Sequence, residues 1–417
     1  MGEDECGSRG DVLSIPGRMD APHGGWILKV LVLSRSTGEG HNHVALALGE
    51  AFRARGHECE VTDAATIRGP QGKPKDDSSA LSAAASRVLS HGSDVASRLY
   101  GWAALKQPWA FGAVTAIGRV YERGPLPSPI YHANLAYVEP TRQYIEEHGF
   151  DAVVSTHTFP QEALSVIRDR YPSQVCYVGV LTDYSCTPFF AEAKLDAYFI
   201  PHEDVRPDCE RHGMPSELTY ALGMPIAAAF RQERDREGAR RALGLPDDVP
   251  VFLLMSGGVG STSTEAICDQ LLTLAGQRIH VVVLSGRRED MYLRVAERYR
   301  TDRRVTVVPF TDRVPVYMAA ADVLISKPGA VSSTEAAVYG VPLVHTGAIP
   351  GIEAHNARFF SERGMSIFEP NVERAARAAY ELLHDPDRLA QMRVDQAANL
   401  IPNGAERVAA QVEALVR

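Results

Sequence analysis

The sequence predicts an α/β protein made of two doubly wound parallel sheets with a cleft between them. Short apolar runs alternate with helical patterns in both halves of the chain, which is typical of parallel strands joined by crossover helices. The length agrees, since 417 residues exceed the roughly 250 to 300 at which one hydrophobic core stops growing. In such sheets ligands bind beyond the carboxyl ends of the strands.

Each half supplies its own set of strands. In the first half we expect strands over 27–33, 58–61, 152–155 and 175–181, with helices over 44–55 and 161–170. In the second half we expect strands over 251–255, 281–284, 305–308, 323–325 and 343–345. A charged segment containing proline separates the two sets. The predicted units are a disordered tail (1–25), an N-terminal Rossmann-like domain (26–225), a linker (226–249), a C-terminal Rossmann-like domain (250–400) and a C-terminal helix (401–417).

Composition limits the classes of partner. The formal net charge of -9 argues against a general nucleic-acid binder, which would carry a basic surface. No apolar run reaches the roughly 18 to 20 residues that span a bilayer. The first 25 residues lack the basic start and apolar run of a secretory signal. We therefore expect a cytoplasmic protein whose membrane contact is peripheral.

A glycine-containing turn follows the first predicted strand. Ser36, Thr37, Gly38, Glu39, Gly40 and His41 precede a helix that we expect to begin near Val44. The glycines permit close approach of a ligand, and amides at a helix start favour a negative group. His41 would project from this turn into the cleft. The turn alone is equally compatible with a purely structural element.

A second glycine-rich turn follows the first strand of the C-terminal half. It contains Gly257, Gly258, Gly260 and Ser261, whose backbone amides could hold a diphosphate. The turn lacks the Lys-Ser/Thr ending of a Walker loop, so ATP hydrolysis is not implied. The alternative is again a structural turn.

The most specific stretch begins at Lys327 and Gly329 and continues into a helix with Ser332 and Glu335. Ser332 as an N-cap with Glu335 three residues later would make a capping box in the first turn of that helix. This alternative leaves Lys327 and Gly329 unexplained, whereas a carboxylate at a strand's carboxyl end suits the paired hydroxyls of a ribose. Glu353 and Asn356 follow at the next junction between a strand and a helix.

Taken in order, these motifs resemble the processive diacylglycerol glycosyltransferases and monogalactosyldiacylglycerol synthases, relatives of the MurG-type enzymes with the GT-B fold. The resemblance covers about residues 27 to 400. It rests on five blocks: Thr37 to His41, Leu181 to Tyr184, Gly257 to Gly260, Lys327 to Glu335, and Ile349 to Ala357.

The resemblance implies an inverting transfer from a UDP-sugar to a lipid acceptor, which is diacylglycerol in this family. It assigns the ribose to Glu335, the diphosphate to the turn at Gly257, the uracil to the side of Phe310, and the sugar and phosphates to Glu353 and Asn356. Arg287 and Lys327 would add positive charge for the leaving group. The expected donor residues are Gly257, Gly258, Gly260, Ser261, Arg287, Phe310, Lys327, Gly329, Ser332, Glu335, Glu353 and Asn356. The expected base is His41, whose unperturbed pKa suits the step, with Asp183 as the next candidate.

Three departures from the family pattern affect these assignments. Ser36 stands where many relatives carry an Asp before the first glycine turn. Ile352 replaces a Gln that would contact the donor sugar, which leaves glucose, galactose or another sugar open. Ala330 replaces a Gly, which is a milder change.

The acceptor side is predicted from a long insert over 78–123. It carries five basic residues against two acidic ones, a local excess of three positive charges, and it holds two of the three Trp. Aromatic residues mixed with Lys and Arg on helical segments suit an anionic membrane surface. The expected contacts are Trp102, Lys106, Trp109 and Phe111. The alternative is that these aromatics pack onto the N-terminal sheet.

The sequence leaves three functional classes open. The leading one is a peripheral membrane enzyme, with a UDP-sugar, a lipid acceptor and an anionic membrane as its partners. The rivals are a glycosyltransferase or epimerase of the same fold that acts on a soluble compound, and a non-catalytic nucleotide-sugar sensor. No His/Cys cluster requires a metal, so we expect no cofactor.

Overall fold

The computed structural model describes residues 26–36, 39–67, 135–186, 188–255, 264–276, 278–347 and 352–416. The predicted tail (1–25), the insert (78–123) and the glycine turn over 256–261 lie outside these residues. The structure therefore does not test them.

The N-terminal unit is a six-stranded parallel sheet in the order β2-β1-β3-β4-β5-β6. Its strands are β1 (Lys29–Ser34), β2 (Glu58–Asp63), β3 (Ala152–Ser155), β4 (Cys176–Val180), β5 (Ala197–Ile200) and β6 (Thr219–Ala221). Its helices are α1 (Glu39–Ala54), α2 (Val138–His148), α3 (Thr158–Arg170), α4 (Pro188–Glu192) and α5 (Arg206–Arg211).

The C-terminal unit holds a second six-stranded parallel sheet in the order β12-β11-β10-β7-β8-β9. Its strands are β7 (Val251–Met255), β8 (His280–Leu284), β9 (Val305–Val308), β10 (Val323–Ser326), β11 (Leu343–His345) and β12 (Ile367–Phe368). Its helices are α6 (Arg236–Leu243), α7 (Thr264–Ala275), α8 (Glu289–Arg298), α9 (Val314–Ala320), α10 (Ala330–Val338), α11 (Ile352–Glu362), α12 (Val372–Leu382) and α13 (Pro386–Asn399). A last helix, α14 (Gly404–Val416), follows.

The predicted strands are confirmed, each end within two residues of its predicted position. Strands β3 and β4 are buried along their whole length because helices cover both faces of the sheet, so β4 and the first three residues of β3 appear in the sequence as apolar runs. Three strands were not predicted: β5, β6 and β12. They have four, three and two residues, and length alone does not explain their omission, because the predicted strands β3 and β11 are as short as β5 and β6.

The C-terminal helix α14 returns to the N-terminal unit and packs on α1. Glu413 accepts two hydrogen bonds from Arg55, at 2.6 and 2.8 Å, and lies 2.7 Å from Nε2 of His57. The bonds from Arg55 are the main reason that the pKa of Glu413 falls to about 2. The end of the chain therefore ties the second unit back to the first.

The segment that joins the two units is anchored by a buried arginine. Arg240 of α6 is 2% exposed, and its guanidinium donates to Asp322 over 2.5 Å. The same group donates to the backbone carbonyls of Ala320 and Val249, both at 3.1 Å. The charge is thus paired and its donors are used, as burial requires.

Candidate active site

His41 lies in the first turn of α1, at the carboxyl end of β1. The prediction that the helix begins near Val44 was wrong, because α1 begins at Glu39. Glu39 places negative charge at the helix start, where the dipole favours it, and Asn42 accepts a hydrogen bond from Ser34 over 2.5 Å. These contacts let a polar stretch that looked like a loop become helical.

The His41 ring is held by two groups from neighbouring strands. Its Nδ1 lies 2.8 Å from the carbonyl oxygen of Thr156, after β3, and 2.9 Å from Oγ1 of Thr182, after β4. The His157 ring packs edge-on against it at 4.6 Å. Burial lowers the pKa of His41, although the bond to Thr156 partly opposes this, and burial also holds the pKa of His157 well below its usual value. Both rings are therefore neutral near pH 7.

An acidic side chain does reach the turn before His41, but it comes from another strand. Asp63, at the end of β2, accepts the backbone N–H of Ser36 over 3.0 Å and that of Ala65 over 2.9 Å. It also lies 3.7 Å from Arg35. Two backbone bonds and a cation suit a carboxylate that shapes the turn.

The second candidate base, Asp183, faces the C-terminal unit. Its Oδ1 accepts a hydrogen bond from Nδ2 of Asn356 over 2.9 Å. Burial raises the pKa of Asp183 to about 7, against the opposing effect of this hydrogen bond, and the nearby charge of Glu353 raises it further. Glu353 itself pairs with Lys327 over 2.5 Å. The structure thus brings together four residues from three separate sequence motifs.

Tyr184 is a contact between the units to which the sequence analysis assigned no role. Its hydroxyl lies 2.8 Å from Oγ1 of Thr334 in α10, and its ring stacks on Phe359 of α11 at 4.1 Å. Its backbone N–H donates to Oδ1 of Asn356 over 2.9 Å. The available signal was its place beside Asp183 in the Leu181–Tyr184 motif.

Glu335 is a buried carboxyl on α10. It is 5% exposed, and within the described part of the chain no hydrogen bond or ion pair of its carboxyl group is found. Burial raises its pKa to about 8, so the group is mostly protonated at neutral pH. A buried polar group without a partner is costly, which favours a ligand that supplies hydrogen bonds.

The capping-box alternative for Ser332 and Glu335 was wrong. The helix begins at Ala330 with Gly329 as its N-cap, so Glu335 lies in the second turn. The Ser332 hydroxyl donates to the carbonyl oxygen of Gly329 over 3.2 Å. The helix starts three residues earlier than the side chains suggested, because no polar cap is used.

Arg287 and Phe310 form a further part of the cleft between the units. The Arg287 guanidinium lies 4.0 Å from the centre of the Phe310 ring and donates to Glu39 of α1 over 2.7 Å. Phe310 is 52% exposed, which is unusual for a large apolar ring. An exposed aromatic ring next to a cation offers a flat surface on which a nucleobase can stack.

Some predicted site residues lie outside the described part of the chain. They are the diphosphate turn (Gly257, Gly258, Gly260 and Ser261) and the insert residues (Trp102, Lys106, Trp109 and Phe111). In the described ranges, no group of three or more His, Cys, Asp or Glu could hold a metal ion. No helix there is long and apolar enough to cross a membrane.

Two family models match consecutive regions of the chain. The monogalactosyldiacylglycerol (MGDG) synthase model matches residues 118–226, and the glycosyltransferase family 28 C-terminal domain model matches residues 256–408. A processive diacylglycerol beta-glucosyltransferase of Staphylococcus saprophyticus is 24% identical over 245 residues, or 59% of this chain. The match spans 63% of that relative, which is less than two thirds of its length.

Solved structures share the architecture. MurG of Acinetobacter baumannii aligns over 93% of this chain and 99% of its own, with a TM-score of 0.57 and 14% identity. Anabaena Alr3699/HepE, in a complex with UDP-glucose, aligns over 92% of this chain and 98% of its own, with a TM-score of 0.53 and 14% identity. The predicted GT-B fold and the predicted family resemblance are confirmed.

Proposed function

We propose that this chain, in which an MGDG synthase region precedes a glycosyltransferase family 28 C-terminal domain, transfers a hexose from a UDP-sugar to a lipid acceptor, diacylglycerol, with inversion. The observation that carries the proposal is the packing of α1, which bears His41, against α10, which bears Glu335. A Cβ at Gly40 would lie 3.5 Å from Cγ2 of Val331, so the two helix starts are in close contact. The helices that carry the proposed base and the proposed ribose-binding carboxyl thus meet at their starts.

The choice of substrates follows the relatives. The Staphylococcus saprophyticus relative is named for a diacylglycerol acceptor, and the Anabaena structure contains UDP-glucose. The buried carboxyl of Glu335 suits the ribose of such a donor, and the exposed Phe310 ring suits its uracil. Because Ile352 stands in place of the sugar-contacting Gln, we propose a hexose without choosing between glucose and galactose.

The proposed step is a single in-line displacement. The acceptor hydroxyl oxygen forms a bond to the anomeric carbon as the bond to the diphosphate oxygen breaks, and UDP leaves with that electron pair. His41 takes the hydroxyl proton, since its lowered pKa keeps it neutral and able to accept. Inversion follows from attack on the face opposite the leaving group.

Positive charge for the leaving group is already present beside the cleft. Lys327 pairs with Glu353, and Arg287 pairs with Glu39, at 2.5 and 2.7 Å. A diphosphate would compete with these carboxylates for the two cations and exchange one ion pair for another. We therefore propose metal-independent turnover, which activity in excess EDTA tests.

The proposed place of action is the inner face of the cell membrane. The insert over 78–123, with its excess of three positive charges, would dock the protein peripherally on anionic lipid. The acceptor would enter the cleft from that side.

One incubation separates the proposed function from its rivals. Radiolabelled UDP-glucose and UDP-galactose are each supplied with diacylglycerol vesicles, with soluble acceptors and with no acceptor. We expect labelled lipid, with the anomeric configuration reversed relative to the donor by NMR. A labelled soluble product would favour the soluble-acceptor enzyme, an altered nucleotide sugar without acceptor would favour an epimerase, and tight binding without any product would favour a sensor.

A further inference from the structure

The two ring nitrogens of His41 have different surroundings. Nδ1 lies 2.8 Å from the carbonyl oxygen of Thr156 and 2.9 Å from Oγ1 of Thr182. Nε2 has no hydrogen-bond partner among the residues that the structure describes. The ring is therefore oriented from one side only.

The contact with Thr156 decides which nitrogen carries the proton. A carbonyl oxygen can only accept a hydrogen bond, so a separation of 2.8 Å is attractive only when Nδ1 is protonated. In the other neutral tautomer, the Nδ1 lone pair would face the lone pairs of the carbonyl. The neutral ring thus carries its proton on Nδ1 and an open lone pair on Nε2.

We infer that Thr182 is a positioning residue that works with the Thr156 carbonyl to hold His41 in the Nδ1–H tautomer, so that Nε2 is the atom that accepts the proton. The hydroxyl oxygen of Thr182 offers Nδ1–H a second acceptor at 2.9 Å. Two acceptors from different strands, β3 and β4, fix the ring plane better than one. This inference rests on the proposed function, because it names how the base of that reaction is prepared.

The side chains of Thr182 and Asp183 contact different parts of the protein. Thr182 faces His41, whereas the next residue, Asp183, bonds to Asn356 of the other unit. Within the described ranges no carboxylate lies within hydrogen-bond distance of His41. The imidazolium formed in the reaction is therefore stabilised by two neutral oxygens, and the loss of one of them is not masked by an ion pair.

His41 alone accounts for the proton that the acceptor hydroxyl releases in this step. The acceptor hydroxyl loses its proton to Nε2, its oxygen bonds to the anomeric carbon, and UDP leaves with the electrons of the broken bond. The second proton of the ring stays on Nδ1 throughout, hydrogen-bonded to the Thr156 carbonyl oxygen and to Oγ1 of Thr182.

The test compares Thr182→Val, which keeps the shape but removes the hydroxyl, with Thr182→Ser, which restores a hydroxyl. Thr219→Val is the matched control, because Thr219 is also buried and donates to the carbonyl of Pro215 over 2.8 Å, on the edge strand β6. Each protein is labelled with ¹⁵N in its histidine rings. The His41 signals are assigned from their loss in His41→Gln, and the ring ¹⁵N shifts report the tautomer without any need for activity. In parallel, kcat and KM are measured for the UDP-sugar.

We expect wild type to show a protonated Nδ1 and an unprotonated Nε2. Thr182→Val should shift both ¹⁵N resonances toward the values of a mixture of the two neutral tautomers. It should also lower kcat about 5- to 10-fold, with KM within about twofold, as for the loss of one hydrogen bond in the transition state. Thr182→Ser should recover most of both, and Thr219→Val should change neither. A wild-type ring protonated on Nε2, or unchanged shifts and kcat in Thr182→Val, would overturn the inference. The expected tautomers without any sugar transfer would leave the inference standing and count against the proposed function alone.

Discussion

Asn356 of α11 donates a hydrogen bond to Asp183 of the N-terminal unit over 2.9 Å, and the same amide accepts the backbone N–H of Tyr184 over 2.9 Å. Both ends of one side chain are thus used by the opposite unit. A residue that the family resemblance assigns to the donor sugar therefore also joins the two sheets.

From this double contact we predict that Asn356 holds the two units together at Asp183 and Tyr184. Asn356→Ala removes both bonds and leaves the Tyr184 N–H without its acceptor. We expect hydrogen exchange at Tyr184 to become about 5- to 13-fold faster, as for the loss of a bond worth about 1 to 1.5 kcal/mol. Asn356→Asp keeps an acceptor for Tyr184 but opposes Asp183 with a like charge, so its exchange should be intermediate. Equal exchange in all three proteins would show that the contact is not maintained in solution.

Glu335 is expected to bind the ribose of the donor. At pH 8.5, where its carboxyl group is mostly ionised, Glu335→Gln should weaken UDP binding by about 1.5 to 3 kcal/mol, the usual worth of a hydrogen bond to a charged group. Calorimetry on both proteins measures this, and Glu362→Gln is the control because Glu362 is exposed on α11. Identical UDP affinities would remove Glu335 from the donor site.

The raised pKa of Glu335 gives this binding a pH dependence. Below about pH 8 the free protein holds a protonated Glu335, and above it a carboxylate, which accepts hydrogen bonds from ribose hydroxyls more strongly. The affinity of wild type for UDP should therefore rise between pH 6.5 and 8.5 and then level off, with a proton released on binding. The pH dependence of UDP affinity should be weaker in Glu335→Gln, because the glutamine amide does not titrate. An unchanged pH dependence would show that another group is responsible for it.

His41→Ala is expected to fold and to bind UDP as wild type does. Its turnover should be at least about 100-fold lower, the lower end for removal of a general base. Ser36 cannot replace the base, since an unactivated hydroxyl is too weak at neutral pH. If turnover is near normal, Asp183, with its pKa near 7, becomes the base to test by Asp183→Asn.

The insert is expected to bind anionic membranes. Replacing Trp102 and Trp109 by Ala and Lys106 by Glu should release the protein from anionic vesicles, because each basic residue near such a surface contributes roughly 1 kcal/mol. UDP affinity should stay unchanged, since the predicted donor site lies in the other unit. Vesicle flotation and UDP titration on one preparation measure both. A wild-type protein that never floats at low salt would support packing of the insert on the N-terminal sheet.

The buried pair of Arg240 and Asp322 is expected to stabilise the C-terminal unit. Asp322→Ala leaves the Arg240 charge buried without its partner and should cost about 3 to 5 kcal/mol of unfolding free energy. Arg236→Ala is the control, because Arg236 pairs with the same carboxylate over 2.6 Å but is about half exposed; it should cost at most about 1 kcal/mol. Denaturant unfolding compares them, and equal losses would contradict the role of burial.

The sequence by itself determined the two parallel sheets, because strands buried on both faces, such as β4, are apolar along their length. It also determined that His41, Asp183, Lys327, Glu335 and Asn356 follow strands, since polar and glycine residues interrupt the apolar pattern at those points. Local patterns did not fix where α1 and α10 begin. Those starts depend on partners such as Ser34 for Asn42, and on a glycine cap that requires no side chain.

Only the tertiary structure decided what these residues contact. Thr182 meets His41 across 141 positions of sequence, Tyr184 meets Thr334 across 150, and Asn356 meets Asp183 across 173. No local propensity encodes such pairs, because each depends on how one sheet is placed against the other. Burial is equally a property of the assembled fold: the same Glu335 would have an ordinary pKa on a surface helix, and only its burial away from water raises that pKa to about 8.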